Sequence, residues 1–200
     1  MNADIVALQE VASLAVHGEF LRLLRDALGI QVIAGRTLTR RDAEFGNALL
    51  SCHPVVANAN IDLSVTRREP RNAIDARVAV DGTTLRVIAT HLGLGPAERR
   101  EQVRRILCSI ESVTDEAVML MGDLNEWYLW GRPLRWLRAH FSATPAPPTF
   151  PTSRPLLALD RIWVHPATAL RQVFVHRTAL SRVASDHLPL AGEVVLPSAR

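Results

Sequence analysis

Apolar positions along this chain switch repeatedly between a period of two and a period near 3.6. Ile5, Val6, Ala7 and Leu8 make residues 4–11 a buried strand that delivers Glu10 at its C-terminal end. Over 14–28, Phe20, Leu21, Leu24 and Leu28 fall at helical spacing, with Gly29 as the stop. Residues 30–34, 47–50 and 55–65 read as strands, the last two parted by Pro54. Strands over 72–80 and 83–91 flank Asp81-Gly82, a strong hairpin turn. Pro96 then opens a long helix with Val103, Ile106, Leu107, Ile110 and Val113 as its core stripe, and Arg99, Arg100, Arg104 and Arg105 coat its other side. Residues 117–121 form a buried strand running into Gly122, 133–139 a short helix, and the Pro- and Thr-rich stretch 142–155 a loop. Strands over 159–164, 172–176 and 188–196 complete the chain. Hairpins mixed with crossover helices do not fit a purely parallel sheet. They predict an α/β chain (α+β in some schemes) of mixed sheets with helices outside. No repeat, low-complexity segment or linker interrupts 1–200, which reads as one domain.

The composition, 48% hydrophobic and 22% charged over 200 residues, suits a globular chain with a substantial core. A net charge of +3 permits an anionic substrate without demanding nucleic acid. All 23 basic residues are Arg. The simpler explanation is a GC-rich genome, although guanidinium forks also suit phosphates. Cys52 and Cys108 lack metal-type spacing and read as buried free thiols, which points to a reducing cytoplasm. No run has the length of a membrane span, and the N-terminus, with Asp4 and Glu10, has no basic leader.

Several short patches set an acid, amide or imidazole beside the aliphatic runs. They are Leu8-Gln9-Glu10, Thr90-His91-Leu92, Gly122-Asp123-Leu124-Asn125, Leu159-Asp160-Arg161-Ile162 and Ser185-Asp186-His187. A site assembled from strand ends has this look, and the side chains suit metal-assisted attack on a phosphate ester. Glu10 is a magnesium ligand, since hard cations take carboxylate oxygen, or a solvated strand-end acid. Asp123 and Asn125, two apart in an extended segment, face the same way and can jointly hold a water or a phosphoryl oxygen; an Asx-turn is the alternative. If Asp160 and His187 meet, the carboxylate orients the imidazole and raises its basicity, giving a general base or, once charged, an acid. Otherwise Asp160 pairs with Arg161 or Arg154, and Ser185-Asp186-His187 is a turn. Asp186 adds a carboxylate for a metal or its water, and His91 is a phosphate donor or a satisfied edge histidine. Trp127, Tyr128 and Trp130 wall a substrate pocket, stack on a base, or pack their loop on the short helix. His17, His53, His140, His165 and His176 look incidental. Three adjacent residues cannot form a serine-hydrolase relay, and neither a Gly-x-Ser-x-Gly elbow nor a His-Glu-x-x-His zinc motif occurs.

In this order the patches resemble the endonuclease/exonuclease/phosphatase superfamily, the DNase I-like fold, from about Asp4 to Leu190. Phe45-Gly46-Asn47-Ala48-Leu49-Leu50-Ser51, Glu69-Pro70-Arg71 and the Glu98-Arg99-Arg100-Glu101-Gln102 helix start resemble intervening family segments. The resemblance implies a four-layer α-β-β-α sandwich of two mixed β-sheets, and phosphodiester or phosphomonoester cleavage with Mg2+ or Mn2+. It implies Glu10 as metal ligand with Asp186 supporting the metal site, and Asp123 and Asn125 orienting the nucleophilic water and the phosphate. His187, paired with Asp160, would act on the nucleophile or bind phosphate, His91 would contact phosphate, and Arg71 would shape the site. One departure stands out. Members usually begin with an Asn-bearing strand and a helix before the Gln-Glu strand, and here both are absent. The expectation is an N-terminally truncated form whose natural protein extends upstream, with any targeting segment. Such a form would be weakly active or inactive, or associated through an exposed sheet edge.

The expected function is therefore a metal-dependent phosphoesterase acting on a small or lipid-linked phosphate ester by in-line attack of an activated water. A Mg-dependent nuclease needs a broad basic face. Arg67, Arg68 and Arg71 cluster before one strand, but no long basic insertion appears, so nucleic acid is not favoured. A non-catalytic binding module of the same fold would more readily lose one of the six residues Glu10, Asp123, Asn125, Asp160, Asp186 and His187. Specificity resides in loops 126–132 and 142–158.

Overall fold

The structure, a computed structural model, describes residues 2–12, 19–40, 43–111 and 117–196. In chain order it contains β1 (Ile5–Ala12), α1 (Glu19–Leu28), β2 (Gln31–Arg40), β3 (Ala43–Ser51), β4 (Val55–Asp62), β5 (Asn72–Val80) and β6 (Thr83–His91). There follow α2 (Pro96–Glu111), β7 (Ala117–Asp123), α3 (Arg132–Phe141), β8 (Asp160–His165), β9 (Leu170–Val175), α4 (Ser181–Ala184) and β10 (Leu190–Val194). The strands form a sheet ordered β1-β3-β2, a five-stranded sheet ordered β4-β5-β6-β7-β8, and a β9-β10 pair. β6 and β7 run parallel, joined through α2, and the other pairs are antiparallel. The large sheet is thus mixed, as the hairpin and crossover signals predict.

Alternation along the strands sorts the core into layers. Ile74, Ala76 and Val78 of β5, Leu85, Val87 and Ala89 of β6, and Ile162 and Val164 of β8 meet Leu49, Ile5 and Ile33 of the first sheet. The opposite face sends Ala73, Ile88, Leu120 and Trp163 under Val103, Ile106 and Ile110 of α2 and Leu134, Leu137 and Phe141 of α3. Val6, Leu8 and Val11 of β1 and Leu50 of β3 pack on Leu21 and Leu24 of α1. The result is four layers, α1, sheet, sheet, then α2 with α3, which is the α-β-β-α sandwich.

Several expectations change. β2 and β3 extend well beyond their apolar cores, and β4 stops at Asp62. Helix residues 14–18, with His17, and the stripe position Val113 lie outside the described residues. Arg99 does not coat the outside of α2: it is fully buried against Glu126 and the Gly93 and Leu94 carbonyls of the loop before the helix. Cys52 and Cys108 are exposed rather than buried. Among the described residues no helix is long and apolar enough to cross a membrane.

Gly122 fixes the close approach of β7 to β6. Its φ is 135°, and a Cβ there would lie 1.9 Å from the Thr90 carbonyl oxygen. Gly122→Ala is expected to cost about 3 kcal/mol or more through strain and overpacking. For a chain this size that lowers Tm by roughly 6–12 °C, measurable by thermal unfolding followed by circular dichroism.

Candidate active site

Strand register builds the centre of the site. Across the large sheet His91 pairs with Asp123, and Asp123 pairs with Asp160, so three polar side chains close the same end of β6, β7 and β8. Just beyond, Asn125 takes φ 50°, a left-handed conformation that Asn tolerates, and its N–H donates to Asp123 Oδ1 at 2.7 Å. The Asx-turn and the shared function expected of Asp123 and Asn125 are thus one arrangement. Asn125 Nδ2 donates to the Leu92 carbonyl at 2.8 Å and lies 3.0 Å from His91 Nε2.

The two histidines differ sharply. Arg71 Nη1 and Asn125 Nδ2 only donate, and each lies 3.0 Å from a different His91 nitrogen, Nδ1 and Nε2, so a neutral ring can accept from only one of them; Nε2 also lies 3.6 Å from Asp123 Oδ2. Burial, the Arg71 charge and nearby His187 push the His91 imidazolium down to about 3, so this ring is neutral. His187 Nδ1 bonds Asp160 Oδ2 at 2.8 Å, and Asp160 also accepts from Thr149 Oγ1 at 2.5 Å. The Asp160 carboxylate raises His187 above the usual histidine range against the opposing effect of burial. Asp160 pairs with neither Arg161 nor Arg154; the His187 contact conditional in the sequence is present. The remaining His187 nitrogen, Nε2, faces Asp123 Oδ2 at 3.9 Å, and Phe150 backs the ring at 4.8 Å between centroids. Burial first, then the Asp160 charge, pushes the Asp123 carboxyl up to about 6.

Glu10 enters from the other sheet. A register shift between Leu8 and Val11 bulges β1, and Glu10 has φ 54°. Bulges re-aim side chains in this way. The Glu10 carboxylate is 74% exposed, with Oε1 4.0 Å from His91 Nδ1. It borders a cleft of about 190 Å3 that Asn47, Phe45, Arg71 and His91 also line. Asp186 is exposed one residue before His187, its Oδ1 3.4 Å from Ser185 Oγ, and its charge adds to the upward shift of His187. Trp127 stands exposed beyond Asn125. Among the described residues no three His, Cys, Asp or Glu side chains are grouped to enclose an ion. An exposed hard carboxylate beside an open cleft fits magnesium, which keeps several waters and takes one or two carboxylates plus substrate phosphate oxygens.

The quoted motifs contain supporting residues whose contacts the sequence does not disclose. Asn47 Nδ2 donates to Asn72 Oδ1 at 3.1 Å, and Thr90 Oγ1 donates to the Asn72 carbonyl, tying β3 to β5 and β6. Gln102 accepts from Gly93 N–H and donates to the Leu63 carbonyl, which fixes the turn after His91. Arg99 forks onto Glu126 at 3.2 and 3.3 Å and donates to the Gly93 and Leu94 carbonyls. Glu126 follows Asn125 directly, so this buried pair locks the turn that aims Asn125. A signal existed in Glu126 itself, an acid beside an apolar-flanked motif, but not in the identity of its partner.

The model of the endonuclease/exonuclease/phosphatase family matches residues 1–187, and the chain belongs to that family, whose members are hydrolases acting on phosphoesters. The Escherichia coli K12 protein YbhP is 33% identical over 225 residues, spanning 98% of this chain and 85% of its own. The fold is similar to an endonuclease/exonuclease/phosphatase family protein of Leptotrichia buccalis, with TM-score 0.75, 14% identity, and coverage of 96% of this chain and 87% of that one. It is also similar to a mannosyl-6-phosphatase of Bacteroides thetaiotaomicron, with TM-score 0.75, 17% identity, and coverage of 96% and 85%. These neighbours share the DNase I-like architecture described above.

Removing Arg99 strands a buried carboxylate. Arg99→Met is expected to destabilise the protein by about 3–5 kcal/mol, while Arg99→Met with Glu126→Leu recovers most of that loss. Urea unfolding of both single variants and the double variant measures the coupling.

Proposed function

We propose that this chain hydrolyses a small phosphodiester or phosphomonoester by in-line attack of water. The supporting observation is the Asp123 carboxylate, set between a neutral His91 at 3.6 Å and an Asp160-oriented His187 at 3.9 Å. Both gaps exceed a direct hydrogen bond, and a water seated there touches Asp123 and a ring nitrogen together. Asp123 takes the proton as the water oxygen forms its bond to phosphorus and the ester P–O bond breaks. Asn125 and Asp123 hold the water, and His91 contacts a phosphoryl oxygen. His187, carrying its proton beside Asp160, stabilises the charge that builds on the phosphoryl group or its leaving oxygen. Arg71 lies 3.0 Å from His91 Nδ1 and shapes the cleft. Glu10, with Asp186 in support, would hold Mg2+ or Mn2+. The metal, when bound, polarises a phosphoryl oxygen and offsets charge on the leaving group. The likeness to a mannosyl-6-phosphatase supports a small phosphorylated substrate, with Trp127 lining its approach. The free Cys52 and Cys108 thiols support a reducing compartment, the cytoplasm.

Hydrolysis of bis(p-nitrophenyl) phosphate tests this reading. Turnover is expected with magnesium or manganese and to vanish with EDTA, and His187→Ala should lower kcat by about 100- to 10,000-fold. Metal-independent turnover, or full activity in His187→Ala, would refute it.

The pH profile gives a second test. Asp123 holds its proton up to about pH 6, so the rate should climb through that value as the carboxylate forms. Asp160 contributes to that elevation, so Asp160→Asn should move the climb to lower pH while also reducing kcat. A rate profile whose acid limb is the same in both proteins would exclude Asp123 as the group that must ionise.

A further inference from the structure

The loops leaving the site-bearing end of the large sheet present large apolar side chains to water. Trp127, Tyr128, Leu129 and Trp130 are each more than half exposed, Trp130 at 73%. Leu156 is exposed on the loop that leads to Asp160, and Leu180 and Val183 are exposed around α4, just before His187; Val183 reaches 80%. Backbone bonds tie these segments to one end of the molecule. Leu124 N–H donates to the Leu159 carbonyl, Leu188 N–H to the Thr149 carbonyl and Thr152 N–H to the Asp186 carbonyl. The aromatic run is a built turn. Its start is pinned by the buried Glu126, which accepts from Tyr128 N–H, and its end is closed by Gly131 N–H on the Tyr128 carbonyl. Arg138 Nη1 holds the Leu129 carbonyl at 3.0 Å. An apolar rim of this kind on a rigid mount marks an interaction surface.

Charge identifies the occupant. Residues 127–186 contain eight arginines, of which Arg161 is buried, and two acids, Asp160, which is engaged with His187, and the exposed Asp186. Positive charge in a chain of net +3 is therefore concentrated in this part. Arg132, Arg135, Arg154, Arg177 and Arg182 are exposed on these loops and on α3 and α4. Basic residues beside exposed Trp and Tyr suit an anionic bilayer, where rings sit at headgroup depth and guanidinium groups meet lipid phosphates. Nucleic acid would reward the aromatic rings, but Leu129, Leu156, Leu180 and Val183 gain nothing from bases and gain from acyl chains.

We propose that this end of the protein docks on anionic phospholipid membranes, with the Trp127–Trp130 turn and α4 entering the headgroup region. If the phosphoesterase reading above holds, on which this extension rests, docking turns the site toward phosphate esters at the bilayer surface. Docking itself does not depend on catalysis.

Co-sedimentation with phosphatidylcholine vesicles, plain or mixed with phosphatidylglycerol, tests the proposal. Partition to the mixed vesicles is expected to exceed that to plain vesicles by about tenfold or more, with a blue shift of tryptophan emission. Leu129→Ser with Trp130→Ser, and separately Arg132→Glu with Arg135→Glu, should each cut that partition about tenfold while melting with the parent protein. Equal partition to both vesicle types, partition unaffected by either pair of substitutions, or retention on a DNA oligonucleotide in place of vesicles overturns it. Hydrolysis of bis(p-nitrophenyl) phosphate in vesicle-free buffer reads the catalytic proposal separately. A protein that binds vesicles without turnover refutes only the phosphoesterase, and turnover without binding refutes only the docking.

Discussion

The backbone ladder joining β6, β7 and β8 sets His91, Asp123 and Asp160 side by side, and the remaining features of the site accommodate that placement. Two carboxylates in adjacent register positions at the edge of a dry core repel each other and lose hydration. The fold relieves them differently. Asp160 receives Thr149 and His187, whereas Asp123 receives one backbone N–H and keeps an elevated affinity for its proton. A one-residue slip of β7 would turn Asp123 to the other face, and Gly122, pressed on the Thr90 carbonyl, holds the strands at their working distance.

The same residue type serves opposite electrostatic ends. His91 is buried beside the Arg71 guanidinium and cannot hold a second proton, whereas His187 lies half-buried against a carboxylate and holds one more tightly than usual. Neither behaviour belongs to histidine as such. Each follows from which neighbour the strand ends and the 149–160 loop deliver to the ring.

Much of the architecture was legible in the chain because its two periods are cleanly written. Asp81-Gly82 marks the β5–β6 hairpin, the α2 stripe marks the crossover, and alternating aliphatic residues mark the central strands. The outer arms of β2 and β3 were not, since residues such as Thr37 and Glu44 alternate on a hairpin that extends past the core. The grouping of His91, Asp123, Asn125, Asp160 and His187 at one sheet end follows from motifs that each terminate a strand or lie just outside one. Arg99 defeated the reading for a physical reason. Amphipathic patterning assigns a guanidinium to the wet face, and its buried partner Glu126 lies 27 residues away. Thr149 was equally silent, a hydroxyl in a Pro-rich loop whose only mark is its partner in space. The thiols of Cys52 and Cys108 followed a general tendency toward burial that their particular positions do not share.

The Arg99–Glu126 pair also divides one continuous segment into two parts with different freedoms. Up to Glu126 the chain is committed to the candidate site, because Asn125 is held between the Asp123 carboxylate and the Leu92 carbonyl. From Trp127 to Trp130 it is anchored at both ends and faces outward. That boundary is a natural graft point. Sequences exchanged between Glu126 and Gly131 would change the outward surface while leaving the contacts of Asn125 in place, so the two can be inherited, or engineered, as separate traits.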